Sequence, residues 1–79
     1  MASLVIWHKE TKEILASLIK PLGNAPPPSI QGSFRHRPDL WHQLESAWID
    51  LDMTTLQAKK YLEIVDGRPR LKEGGLRSG

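Results

Sequence analysis

Histidines and carboxylates are the side chains here that could do chemistry, and their spacing argues against it. The three histidines are His8, His36 and His42. A metal site carried by one helix wants two histidines at i, i+3 or i, i+4. His36 and His42 stand six apart with Pro38 between them, and there is no cysteine to complete a thiolate set. Asp39 and His42 have the i, i+3 spacing that puts a carboxylate beside an imidazole, yet no Ser or Cys nucleophile is apparent for that pair to orient. Asp50 and Asp52 flank Leu51. Paired carboxylates can do acid–base work, but acidic residues just ahead of a helix are expected from its dipole alone. Gly-x-Gly-x-x-Gly and Walker-type loops are missing from the sequence. The expectation is a non-enzymatic protein with no catalytic residue, no metal site and no cofactor.

The aromatic residues are more informative. Three tryptophans accompany one Phe and one Tyr in 79 residues. Tryptophan buries a large rigid surface and is enriched among binding hot spots. Trp41 and Trp48 are seven apart and would point the same way from one helix. Trp7 precedes the first helical stripe, which makes it the leading candidate for an exposed anchor or dimer contact. Phe34 stands isolated in a long polar loop. Trp7, Phe34, Trp41 and Trp48 are the candidate partner-binding residues. Pro26-Pro27-Pro28 lacks a Pro-x-x-Pro with a basic flank, so it reads as a stiff polyproline II spacer.

Charge offers a second function class. The formal net charge is +2, but residues 1–58 carry −1 and residues 59–79 carry +3. Lys59, Lys60, Arg68, Arg70, Lys72 and Arg77 are the candidate nucleic-acid-binding residues. Binding through them would weaken steeply with salt, because each neutralised phosphate releases counterions.

These side chains need elements to hold them. Ile14, Leu15, Leu18 and Ile19 fall at i, i+1, i+4 and i+5, which predicts a helix over about 8–20 ended by Pro21. The rival is a hairpin of Leu4–His8 and Ile14–Ile19, whose turn lacks the Gly or Asn that tight turns favour. Residues 21–37 form a Pro-rich linker. Leu40, Trp41, Leu44, Ala47, Trp48 and Leu51 make a helical stripe over 38–51, with Pro38 suited to the first turn. Thr54-Thr55-Leu56-Gln57 fits a capping box opening a helix over 54–65. Here too a hairpin competes, turning at Asp66-Gly67 between Glu63–Val65 and Arg68–Leu71.

The preferred fold is mainly α: a three-helix domain over 1–67 and a flexible basic tail over 68–79. The alternative is α+β, with hairpins at both ends. No apolar run approaches the roughly 20 residues of a membrane span, and Leu4-Val5-Ile6-Trp7 is too short for a secretory signal. A cytoplasmic location is expected. A core this small often completes itself with a partner. The functional expectation is therefore a small adaptor or inhibitor, of the kind viruses, phages and mobile elements encode. It would bind a larger protein or form a homodimer through an apolar Trp-containing surface, with nucleic-acid binding as the alternative.

Overall fold

The computed structural model describes residues 2–72. It is mostly β and contains no three-helix domain. Strands β1 (Ser3–His8), β2 (Ile14–Ile19) and β3 (Leu44–Ile49) form an antiparallel sheet in the order β2-β1-β3. A single helical turn, α1 (Ile30–Ser33), and a 3-10 helix (Pro38–Gln43) lie between β2 and β3. Helix α2 (Thr55–Tyr61) follows, then the hairpin of β4 (Leu62–Val65) and β5 (Arg68–Leu71). No helix among the described residues is long and apolar enough to cross a membrane.

The expected helix over 8–20 is the first correction. A bulge explains why the sequence imitates one. Trp7 pairs with Ile14 and Ile6 with Ala16, which leaves Leu15 unpaired. The extra residue lets neighbours share a face, so Leu15, Ala16 and Leu18 all pack against Leu4, Ile6 and Leu44. The strict alternation of a strand is broken, and apolar residues at 14, 15, 18 and 19 resemble a helical stripe. The turn closes without glycine because Lys12 takes φ 64°. Side chains brace it: His8 Nδ1 accepts from Glu10 N, and Thr11 Oγ1 accepts from Glu13 N, both at 3.2 Å.

The expected helix over 38–51 is the second correction. Only its first part is helical, as a 3-10 turn, and the rest is β3. Leu44 and Trp48 are four apart, a spacing that keeps one face in a strand as well as in a helix. Ala47 and Ile49 point to the opposite face, so the strand carries apolar residues on both sides.

The third helix is real but short. Thr54 Oγ1 accepts from Gln57 N at 3.3 Å, and Thr54 N donates to Gln57 Oε1 at 2.9 Å, so the capping box closes. The helix stops at Tyr61 instead of Val65. Asp66 and Gly67 take φ 54° and 74°, the two left-handed positions of a tight hairpin turn. Residues 68–71, expected to open a flexible tail, are instead paired with β4. Pro69 lies opposite Ile64, between pairs that use their backbone groups inward, so its missing N–H is not needed.

The core lies on both sides of β1, whose residues Ser3 to Trp7 are all buried. One face packs Val5 and Trp7 with Ile14, Met53, Ala58 and Leu62 beneath α2. The other packs Leu4 and Ile6 with Leu44 beneath α1, the 3-10 helix and Phe34. Two buried serines fasten the loop that leads into α2. Ser3 Oγ donates to Leu51 O at 2.6 Å and accepts from Met53 N at 2.9 Å. Ser17 Oγ donates to Met53 O at 2.8 Å.

Candidate interaction surface

Backbone direction decides which sheet edge is open. Lys20 N donates to Ala2 O and His8 N to Glu13 O, so the even residues of β1 bond toward β2. Lys9 N donates to Gln43 O, so the odd ones bond toward β3. In an antiparallel ladder these directions alternate. With Ser3, Val5 and Trp7 opposite Ile49, Ala47 and Glu45, the backbone groups of Leu44, Ser46 and Trp48 point off the sheet. Leu44 is buried, whereas Ser46 and Trp48 are exposed. The open stretch is therefore Ser46 to Trp48.

The other outer edges are obstructed. On β2, Thr55 Oγ1 accepts from Ser17 N at 3.1 Å and donates to Ser17 O at 3.4 Å, which plugs the middle of that edge. On β4, Leu62 N is already bonded to Ala58 O as the C-cap of α2. On β5, Pro69 interrupts the donors. On β3, Ser46 to Trp48 carries no proline, no bulge and no plugging side chain among the described residues.

Trp48 stands on this edge with 46% of its surface exposed. It forms a wall common to two hollows. One, of about 330 Å³, has Pro21, Gly23, Ala25 and Pro27 on its other sides. The second, of about 340 Å³, runs beside Ser46 and is bounded by Pro28, Ile30 and Trp41. Pro21, Pro27 and Pro28 have fixed φ angles, which restricts part of each wall. The spacer role expected of residues 21–37 thus becomes that of a wall against the sheet.

The other aromatic candidates serve this surface from behind. Trp41 is half-buried, and its Nε1 donates to Phe34 O at 3.0 Å. Phe34 packs on the Leu4–Ile6–Leu44 cluster. Together they pin the 30–43 segment to the sheet. Trp7, the leading candidate for an exposed anchor, is 1% exposed and belongs to the core beneath α2. Its Nε1 meets no acceptor among the described residues.

The six basic candidates are spread out. Lys59 and Lys72 share a hollow with Lys12, but Glu13 and Glu63 line it too. Lys60 Nζ lies 5.4 Å from the centre of the Tyr61 ring. Arg70 Nε is 3.8 Å from Glu63 Oε2, and Arg68 is exposed. Arg77 lies outside the described residues. Asp39 turns to Arg37 instead of His42. Arg37 donates to both carboxylate oxygens, from Nε at 3.1 Å and Nη2 at 3.0 Å. Those hydrogen bonds hold the Asp39 carboxyl below its ordinary pKa and raise that of Arg37. No group of three His, Asp or Glu side chains that could hold a metal ion occurs among the described residues.

The sequence named Trp48 but misplaced it on a helix, and it gave no sign of Ser46. The apolar pattern of 44–49 on two faces fits a strand but carries no mark of an edge. No family model matches the chain, and no curated protein or solved structure matches it either.

Proposed function

We propose that this chain is a non-enzymatic protein-interaction module, an adaptor or inhibitor that takes an extended protein segment along β3. The observation behind this reading is the half-exposed Trp48 on an open strand edge, between two hollows of mixed polar and apolar lining. An added strand gains main-chain hydrogen bonds from the edge, and alternate side chains find pockets. Trp48 supplies the large rigid contact typical of an anchor.

The test is selection of extended peptides from a displayed library against the intact chain, followed by affinity measurement on variants. Trp48→Ala should weaken the selected peptides by about 2 kcal/mol or more, roughly thirtyfold. Leu56→Ala, at a residue 80% exposed on α2, should leave affinity unchanged. Equal affinity for wild type and Trp48→Ala would reject the reading.

A further inference from the structure

Resting on that reading of β3, we infer that the edge takes a second copy of the same chain. The two β3 strands run antiparallel about a two-fold axis at Ala47. The register follows from which groups are open. Outward-bonding residues must face outward-bonding residues. Since only Ser46 and Trp48 are both outward and exposed, the pairing that uses all of them sets Ser46 against Trp48 of the second copy, twice over. Ala47 then meets its own counterpart at the axis.

Three features fit this arrangement. First, it is self-complementary in shape. The Trp48 side chain shares a sheet face with Ser46, so the incoming indole arrives opposite a small residue. That residue borders the hollow of about 340 Å³ formed with Trp41, Pro28 and Ile30. Each copy offers one indole and one hollow, as an isologous interface requires. Second, charges complement each other along the strand. The approach to β3 holds Arg35 and the Arg37–Asp39 ion pair, and its exit holds Asp50 and Asp52. Antiparallel pairing sets each acidic end toward the other copy's approach, where Arg35 is the cation outside that pair. Glu45 falls opposite Ile49, so no like charges are placed face to face. Third, exposed apolar side chains flank the edge. Trp48 and Leu51 are 46% and 41% exposed. Leu22, 86% exposed, borders a hollow with Asp50 just beyond the strand. Apolar surface gathered at one site marks an interaction face.

The experiment uses the full chain. Sedimentation velocity through the micromolar range should show a monomer–dimer equilibrium. Ser46→Pro removes two symmetric interstrand donors while leaving the β1–β3 ladder intact, since Ser46 N points off the sheet. It should raise the dissociation constant by roughly tenfold or more. A gain-of-function variant guards against misfolding. The chain has no cysteine, so Ala47→Cys places a single thiol at the axis. Residues opposed there lie about 4.5 Å apart between Cα atoms, within the roughly 4.4–6.8 Å of a disulfide. Mild oxidation should crosslink Ala47→Cys dimers and leave Ser46→Cys largely uncrosslinked. A wild-type chain that stays monomeric would overturn self-pairing while leaving the peptide-binding reading to its own test. A dimer that forms equally well with Ser46→Pro, or crosslinks better through Ser46→Cys, would overturn the edge or the register.

Discussion

Ser3 has no standing in a sequence-based reading, because a serine near a strand start usually faces water. Here it is completely buried and serves two backbone groups 48 and 50 residues away. Ser3→Ala leaves Met53 N and Leu51 O without that partner inside the core. It should destabilise the fold by about 1–3 kcal/mol, measurable by urea denaturation. Trp7 carries the opposite lesson. Its place ahead of the supposed helical stripe made it the anchor candidate, but the apolar run Leu4 to Trp7 is continuous because both faces of β1 are covered. Trp7→Ala should remove about 3–5 kcal/mol. A core of this size supplies only about 3–5 kcal/mol in all, so far-UV circular dichroism should report an unfolded chain at ambient temperature.

At the scale of elements, the local signals near the C-terminal half were legible and the strands were not. The capping box at Thr54 and the Asp66-Gly67 turn are local chemistry, and local chemistry survives folding. What misled was periodicity. The bulge at Leu15 and the apolar residues on both faces of β3 each turned a period of two into something close to 3.6. The helix reading of 54–65 failed for another reason, since Leu62 to Val65 suit either structure and β5 decides. The two hairpin turns also differ in a testable way. Lys12 adopts a left-handed conformation that a side chain resists by roughly 1–2 kcal/mol. Lys12→Gly should therefore raise the melting temperature, with part of the gain offset by the freer unfolded chain. Gly67→Ala does the reverse, placing a Cβ where φ is 74°. It should lower stability by about 1 kcal/mol or more.

Across the whole molecule, one strand organises everything, since both halves of the core meet on β1. Thr55 joins the halves further by seating α2 on the edge of β2. Thr55→Val keeps the shape but withdraws the hydroxyl from Ser17 N and O. It should destabilise the fold by about 1 kcal/mol and speed amide exchange at Ser17, as two-dimensional NMR would show. This coupling of residues far apart in sequence is also why the site was only half readable. Trp48 announces itself by composition, but an open edge is a relation among strands. Neither Ser46 nor Ala47 has a chemistry that reveals it.

The burial of β1 on both faces and both edges also has a consequence in time. β1 precedes both of its partner strands, and its second edge is closed only by β3, which begins 36 residues after β1 ends. An emerging chain can form the β1–β2 hairpin early, but a lone two-stranded hairpin is marginal in water. Until residues 44–49 arrive, Leu4 to Trp7 present a sticky, unpaired strand to any neighbour. The most aggregation-prone moment in the life of this molecule is therefore its synthesis, ahead of any thermal stress on the finished fold.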